Sequence, residues 1–181
     1  MAKFSIKDGE GIIPSRTTVI NRHAFCLESI IVPSSVTKIE AAAFSGCPYL
    51  DSIAVSEENP IYDSRESCNA IIETATSRLI VGCRNTLIPQ SVTEIGDNAF
   101  EGCTGLTSIV IPDSVTEIGN NAFEGCTRLT SIVISSLLPI KFLNTLPDQC
   151  PNLKHLFVPA SLLDAYNDEF SIELRSLVSS Y

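Results

Sequence analysis

Residues 92–111 read VTEIGDNAFEGCTGLTSIVI, and residues 115–134 read VTEIGNNAFEGCTRLTSIVI. Equivalent positions lie 23 residues apart, as Phe100 and Phe123 do. A fixed period of this length is typical of a solenoid, in which each short unit cannot bury its own apolar face and therefore stacks on its neighbours. The repeat also bears on function, because solenoids generally present an extended surface to a partner.

Each repeat unit combines a strand with a tight turn. Residues 106–111, LTSIVI, have the L-x-x-L-x-L spacing of a leucine-rich repeat. Within them Ile109 and Ile111 point inward, as alternate residues of a strand do, and Val110 points outward. Pro112 ends the strand because proline has no backbone N–H to donate to a neighbour. The rest of the unit predicts a second inward-facing segment followed by a turn.

The 23-residue frame extends over most of the chain, so we expect one domain, 1–181, of about six coils. Its predicted parts are a degraded N-terminal coil (1–32), a repeat (33–55), an insertion (56–88), two regular repeats (89–134), an irregular last coil (135–158) and a tail (159–181). The predicted fold class is mainly β, a right-handed leucine-rich-repeat solenoid of 23-residue coils.

The insertion, residues 56–88, departs from the repeat pattern. Apolar residues alternate around Ile71 and Ile72 and again around Leu79 and Val81, and polar residues separate the two runs. This alternation predicts a β-hairpin that extends the sheet on one side of the solenoid.

The tail, residues 159–181, has a different period. Leu162, Leu163, Tyr166 and Phe170 recur at helical spacing. An amphipathic helix at this position would cover the last coil and shield its exposed strand edge. We therefore expect a C-terminal capping helix.

The composition indicates a folded, acidic protein. Apolar residues make up 44% of the 181 residues, and the formal net charge is −9. This charge disfavours contact with nucleic acids or anionic lipids, and no apolar run reaches the ~18 residues of a membrane helix. We therefore expect neither nucleic-acid binding nor membrane insertion. The first eleven residues contain no apolar segment of the kind that a secretory signal has, which keeps a cytoplasmic location as an alternative.

The seven cysteines predict a buried column rather than a disulfide framework. Four of them occupy one repeat position, three residues before a leucine: Cys47, Cys103, Cys126 and Cys150. A thiol is among the most readily buried side chains, so we expect these four to be reduced and internal. Cys68 and Cys83 lie outside the column and are the pair for which a bridge remains open. No metal-ligand spacing and no phosphate loop is present, so we expect no cofactor and no metal.

Catalytic machinery is not indicated either. The two histidines, His23 and His155, fall near opposite ends of the predicted stack. Cys150 is close to His155 in sequence, but the repeat places the cysteine in the core and the histidine outside. A nucleophile pair requires hydrogen-bond contact between its members. We therefore expect a protein that is not an enzyme.

The repeats at 89–111 and 112–134 resemble the BspA-like, or Treponema pallidum-type, leucine-rich repeat family. The resemblance rests on the pattern I-P-x-S-V-T-x-I-G-x-x-A-F-x-G-C-x-x-L-T-S-I-x-I and covers most of the chain, including a C-terminal segment similar to the caps of such proteins. It implies a bacterial or protist protein of the cell surface or a secreted one, which binds host proteins or other cells. The family has no catalytic residues to carry over.

The outward-facing strand positions form the candidate binding face. Repeat alignment places on it Thr107, Ser108, Val110, Thr130, Ser131, Val133, Lys154, His155 and Phe157, with Glu28, Ser29, Ile31, Asp51, Ser52 and Ala54 at the equivalent upstream positions. One column is mostly Ser and Thr, and its neighbour is an apolar stripe about 20 Å long. The pattern fits a flat recognition surface, although Thr, Ser and Val are also simply good strand formers.

The insertion offers a second set of candidate contacts. Tyr62, Arg65 and Arg84 are its residue types most enriched at protein interfaces. Insertions into repeats often carry partner contacts, and a purely structural brace is the alternative.

These patterns together predict a non-enzymatic protein–protein interaction module, an adhesin-like protein whose partner is a host protein or a protein on a neighbouring cell. The alternative is a structural solenoid that associates weakly with itself. An ice or carbohydrate binder is less favoured, because only two coils share the Thr-Ser pair and the chain has no tryptophan.

Overall fold

The structure is a computed structural model and describes residues 5–7, 10–21, 28–135, 145–161, 163 and 175–180. These residues form a mainly β solenoid of about six turns with about 23 residues in each turn. The fold class predicted from the repeat is confirmed at this level. Residue His23 lies outside the described part of the chain.

Short strands alternate with turns along the described chain. The strands are β1 (Ser5–Lys7), β2 (Glu10–Ile12), β3 (Val19–Ile20), β4 (Ser29–Val32), β5 (Lys38–Ile39), β6 (Ser52–Val55), β7 (Tyr62–Asp63), β8 (Ala70–Glu73), β9 (Arg78–Gly82), β10 (Glu94–Ile95), β11 (Ser108–Ile111), β12 (Glu117–Ile118), β13 (Ser131–Ile134), β14 (His155–Val158) and β15 (Val178–Ser180). A single 3-10 turn covers Arg65–Ser67, and a short helix, α1, covers Leu146–Gln149.

Each regular coil contributes one long strand and one short strand to two separate ladders. The long strands β11, β13 and β14 pair in parallel, and β2, β4 and β6 form an equivalent parallel ladder in the N-terminal half. The short strands also pair in parallel, β3 with β5, and β9 with β10 and then β12. Equivalent residues of neighbouring coils therefore lie directly beside one another.

Threonine at two repeat positions ties each coil to the one before it. The N–H and the hydroxyl of Thr116 both donate to the carbonyl of Thr93, at 3.0 and 3.4 Å. Thr130 contacts the carbonyl of Thr107 in the same double manner, at 3.0 and 3.1 Å. At both positions the threonine hydroxyl donates to the same carbonyl as the backbone N–H, which explains why the repeat unit has Thr there.

The core is a stack of equivalent side chains. The rings of Phe100 and Phe123 are nearly parallel, with centroids 5.1 Å apart. The thiol of Cys126 donates to the carbonyl of Phe100 at 3.1 Å, which links consecutive coils inside the core. Burial of the predicted cysteine column is confirmed at Cys47, Cys103, Cys126 and Cys150.

The insertion separates the core into two clusters. β8 and β9 form an antiparallel hairpin in which Ile71 pairs with Val81 and Ile72 pairs with Leu79. A register shift between these two pairs turns their side chains to opposite faces of the hairpin. Ile71 and Val81 pack with the N-terminal coils, and Ile72 and Leu79 pack with the C-terminal coils. The hairpin is therefore a two-sided wedge that joins the halves of the solenoid.

Side chains of the insertion also close edges of the N-terminal ladders. The N–H of Val55 in β6 donates to the hydroxyl oxygen of Ser64 at 3.0 Å. The N–H of Ile39 in β5 donates to the hydroxyl oxygen of Tyr62 at 3.1 Å. These side chains take the place of the next strand, whose carbonyls would otherwise satisfy the same N–H groups.

The ends of the stack require one correction. At the N-terminal end β1 pairs antiparallel with β2. At the C-terminal end β15 pairs in parallel with β14, so a strand lies along the edge that the capping helix was expected to cover. The predicted capping helix is not supported: of its four apolar residues, Leu162, Tyr166 and Phe170 lie outside the described residues, and Leu163 is half-buried against the C-terminal core cluster. An open strand edge offers backbone hydrogen bonds that another strand can use and a helix, already bonded internally, cannot.

Gly82 is a position at which the stack tolerates no side chain. Its N–H donates to the carbonyl of Ala99 at 2.8 Å, just as the N–H of Phe100 donates to that of Ala122 at 2.8 Å. Gly82 thus stands where the regular coils carry phenylalanine, and a Cβ atom there would overlap the Phe100 ring. We expect Gly82→Ala to lower the free energy of unfolding by about 1–3 kcal/mol, measured by urea denaturation.

Gly46→Ala is the matched control for this prediction. Gly46 has a φ of +72°, but no atom lies within 4 Å of a Cβ added there, so only the backbone cost of about 1 kcal/mol applies. The Gly82→Ala cost should shrink in a Phe100→Leu background, which removes the ring. A Gly82→Ala protein as stable as the original would contradict the close stacking.

Candidate functional site

The outward positions of β11, β13 and β14, with the residue before each strand, form one surface, which we call the strand face. Three columns run along it: Thr107, Thr130 and Lys154; Ser108, Ser131 and His155; and Val110, Val133 and Phe157. The structure therefore brings together the nine residues that the repeat alignment places side by side. Their role in binding remains a proposal.

The third column of the strand face is apolar and partly open. The side chain of Val110 is 58% exposed, and Val133 and Phe157 are half-buried. The imidazole of His155 stacks on the Phe157 ring with centroids 5.8 Å apart. Because the alternate residues of each strand are buried in the core, this column is held on a rigid base.

The stripe expected to run unbroken from Ile31 to Phe157 is divided in the structure. Ile31 and Ala54 are register partners in the ladder of β4 and β6, whereas Val110 belongs to the ladder that begins with β11. The insertion lies between these ladders in sequence and closes the edge of β6 with its own side chains. The expectation of one continuous stripe is therefore wrong. It treated the strands on either side of the insertion as neighbours and left out the space that the insertion occupies between them.

Leu87 is an apolar surface residue that the repeat pattern did not indicate. It is 73% exposed, whereas its neighbour Thr86 is buried. Its N–H donates to the carbonyl of Cys68 at 3.0 Å. A signal was present, since Leu87 stands two residues before Pro89 as Val110 stands two before Pro112. The irregular spacing of the insertion concealed this equivalence.

The segment that carries Leu87 is fixed to the N-terminal half by an ion pair. The Arg84 guanidinium contacts the carboxylate of Asp51, the residue that precedes β6. The side-chain amide of Asn85 donates to the carbonyl of Asp51 at 3.1 Å. Arg84, predicted as a contact residue, is thus committed to an internal partner while part of its side chain stays exposed.

The other two candidates of the insertion also have internal partners. Tyr62 is buried, and its hydroxyl accepts a hydrogen bond from the N–H of Ile39. Tyr62 is therefore a structural residue and not the surface contact that the sequence predicts. Arg65 donates through Nε and Nη2 to the two carboxylate oxygens of Asp63, at 2.7 and 2.6 Å. Tyrosine and arginine are enriched at interfaces, but the same properties serve an internal brace.

A cleft of about 710 Å³ opens between β6 and the loop that follows β7. Ser52 and Ala54 of β6 line one side, and residues 63–67 line the opposite side. Burial raises the pKa of Asp63 on this wall, but hydrogen bonds from Arg65 and Thr74 outweigh burial and hold the pKa below its usual value. The carboxylate is therefore charged and paired at neutral pH.

The short-strand side of the solenoid carries mixed charge. Arg78 of β9 contacts Glu94 of β10 at 2.6 Å and Asp97 at 3.6 Å. Glu117 follows Glu94 in register on the next coil. No cluster of three or more His, Cys, Asp or Glu side chains able to hold a metal occurs among the residues that the structure describes.

The cysteines of the core are placed as structural groups. The six described cysteines are reduced, Cys68 and Cys83 among them. Cys150 is buried and its thiol lies 3.6 Å from the carbonyl of Phe123, whereas His155 is exposed. Burial raises the pKa of Cys150 to about 12, which keeps the thiol protonated at neutral pH. The described part of the chain also contains no helix long and apolar enough to cross a bilayer.

Comparison with known proteins agrees with this architecture. The model of the BspA type leucine-rich repeat region matches residues 7–76 and 80–177, in six copies. No curated protein matches the chain.

Three solved structures illustrate the likeness of fold. A leucine-rich repeat protein from Eubacterium ventriosum is 22% identical over 82% of this chain and 47% of its own, with a TM-score of 0.56. A leucine rich cell surface protein from Faecalibacterium prausnitzii is 23% identical over 91% of this chain and 55% of its own, with a TM-score of 0.53. The pneumococcal vaccine antigen PcpA is 18% identical over 73% of this chain and 39% of its own, with a TM-score of 0.50. The chain thus spans between 39% and 55% of the length of these proteins.

Because several cysteine thiols are buried, the protein loses stability as the pH becomes alkaline. Burial raises the pKa of Cys103 and of Cys150 from 9.0 to about 12, and burial raises the pKa of Cys126 as well. In the unfolded chain the same thiols ionise near pH 9, so unfolding releases protons above that pH. Their contribution is complete below pH 9 and is lost as the pH rises towards 12, by up to about 1.4 kcal/mol per pH unit and thiol.

We therefore expect the free energy of unfolding, measured by urea denaturation at a series of pH values, to fall steeply between about pH 9 and pH 11. The variant Cys150→Ala should be less stable at pH 7 but should show a shallower fall. A free energy that stays constant across this range would contradict the burial of the column.

Proposed function

This chain belongs to the BspA-type leucine-rich repeat family, and on that premise we propose that it is a non-enzymatic protein–protein interaction module. Its partner is a protein, which it binds through the strand face. Leucine-rich repeats of this kind are typical of interaction modules, and the whole extended surface of such a solenoid is available for contact.

The observation that carries the proposal is the apolar column of Val110, Val133 and Phe157. These side chains lie in register on a rigid ladder, beside polar columns of Ser, Thr, Lys and His. Apolar surface that is exposed on a rigid base and rimmed by polar groups is a common mark of protein recognition. Its regular spacing favours an elongated contact that runs along the solenoid.

The proposal of a non-enzymatic role rests on the state of the nucleophiles. The described thiols are buried, and burial raises the pKa of Cys150; the imidazole of His155 stacks on the Phe157 ring. A catalytic cysteine requires a base within hydrogen-bond reach and an accessible thiolate.

The proposal extends to location and partner. We place the protein at the cell surface or outside the cell, where it acts as an adhesin-like protein on a host protein or a protein of a neighbouring cell. The family resemblance supports this, and the similar Faecalibacterium protein is described as a cell surface protein. A cytoplasmic interaction module is the alternative.

Self-association is the second candidate function. The same exposed apolar column favours it, because two copies could cover their strand faces against each other. The net charge of −9 opposes it, because two like-charged copies repel. We therefore rank a different protein partner first.

The test of the proposed function is a pair of substitutions on the strand face. Val110→Glu combined with Val133→Glu should reduce binding at least about 100-fold, because it puts two charges into a contact that has to be desolvated. The melting temperature should change little, since both side chains project outward. Binders are first selected on the immobilised original protein from a displayed library of protein fragments, and their affinities are then measured by biolayer interferometry.

Val19→Glu is the matched control, because it changes an exposed valine of β3, on the short-strand side. It should leave the affinities unchanged. Binders that tolerate the strand-face pair as well as the control would refute the strand face as the binding surface. Sedimentation at several concentrations separates self-association, which would give a dimer that the same pair of substitutions dissolves.

A further inference from the structure

The cleft beside β6 has features that the regular coils lack. Its volume of about 710 Å³ is within the range of specific ligand sites. Its walls are β6 on one side and the insertion on the other, so it lies at the point where the regular ladder stops. The side chain of Asn69 extends the wall and accepts the N–H of Ile53 at 3.4 Å.

The wall formed by the insertion has a fixed shape. Glu66, Ser67 and Asn69 all have positive φ, at 58°, 52° and 51°. Residues other than glycine adopt this conformation seldom and keep it only where their surroundings impose it. The surroundings here include the doubly bonded Asp63–Arg65 pair and the bond between Ser64 and Val55. The cleft is therefore a preformed cavity.

The charge of the cleft is negative. Asp63 and Arg65 neutralise each other, which leaves the carboxylates of Glu57 and Glu66 among its lining residues. Both are exposed; Glu57 stands two residues after β6, and Glu66 lies in the 3-10 turn. Both carboxylates therefore contribute negative charge to the lining of the cleft.

An apolar anchor stands beside this acidic cleft. Leu87 donates its backbone N–H to Cys68, which lies between the wall residues Ser67 and Asn69. At 73% exposure it is the most open large apolar side chain among the described residues. Covering an exposed apolar side chain of this size with an apolar group of a partner removes it from water and so stabilises the complex.

From this juxtaposition we infer that the cleft is the specificity site of the protein, and that it takes an extended segment of the partner in which lysine or arginine alternates with apolar residues. The cationic side chain enters between Glu57 and Glu66, and a neighbouring apolar side chain covers Leu87. The inference rests on the proposed function, because it names the chemistry of the partner that the strand face binds. The chain's net charge of −9 draws a basic segment towards the site from a distance.

The inference is tested with two synthetic peptides that differ only in charge, acetyl-VKLKV-amide and acetyl-VELEV-amide. Each is titrated into the isotopically labelled protein, and amide chemical shifts are followed by NMR. The lysine peptide should shift residues 52–57, residues 63–69 and Leu87, and the glutamate peptide should leave them in place. The affinity should fall as the salt concentration rises.

Substitutions test the contributions of the two carboxylates and of Leu87 to peptide binding separately. Glu57→Lys with Glu66→Lys should weaken the lysine peptide about tenfold, and Leu87→Ser should weaken it by a similar factor. Glu117→Lys, on the short-strand side, and Tyr49→Ser, an exposed aromatic residue outside the cleft, are the matched controls and should change nothing. The three other substituted side chains, Leu87, Glu117 and Tyr49, are exposed like Glu57 and Glu66, so folding is preserved and is checked by the melting temperature.

Two results would overturn the inference. One is the absence of shifts at the cleft at millimolar lysine peptide, and the other is an equal response to both peptides. The proposed function is judged separately: if the selected protein binders still lose affinity on Val110→Glu with Val133→Glu, the strand face stands and only the cleft is refuted. If neither set of substitutions affects any binder, both proposals fail.

Discussion

The stacking of each coil on the next at a constant interval is the constraint on which the rest of this molecule depends. A single coil leaves its strand edges without partners and its apolar side chains half covered. Thr116 shows how strict the alignment is, because its N–H and its hydroxyl reach the same carbonyl of Thr93. The ring contact of Phe100 with Phe123 requires the same alignment inside the core. Any segment that departs from the interval has to supply these contacts in another way.

The insertion supplies them with a hairpin and a few polar side chains. Gly82 replaces a phenylalanine, which lets the Phe100 ring fill the space where two rings would otherwise meet. The hairpin packs one pair of residues against each half of the core. Ser64 and Tyr62 accept the N–H groups that a regular next strand would have bonded. The hairpin thereby joins the two core clusters, while the outward surface is interrupted.

The sequence predicts the regular part of the structure well, because a 23-residue period fixes which residues become neighbours. The register of Val110 with Val133 and the burial of Cys126 both follow from alignment alone. What alignment could not predict depends on contacts between unlike segments. Tyr62 is a residue type that is common at interfaces, but here its side chain is buried and its hydroxyl accepts a hydrogen bond from the N–H of Ile39. Likewise the tail has apolar residues at helical spacing, but its last strand, β15, pairs with the open edge of β14.

The same difference between regular and irregular segments bears on how a partner is recognised. The regular coils present nearly identical rungs, since Ser108 and Val110 recur as Ser131 and Val133. A partner bound to such rungs alone could shift by one coil at little cost, as a strand does when its register is weakly specified. In the proposed mode of binding the cleft removes this ambiguity, because it lies beside β6 where the regular ladder stops and combines charge with the nearby exposed side chain of Leu87. In that mode the apolar column provides contact area, and the charged cleft fixes the position of the partner along the solenoid.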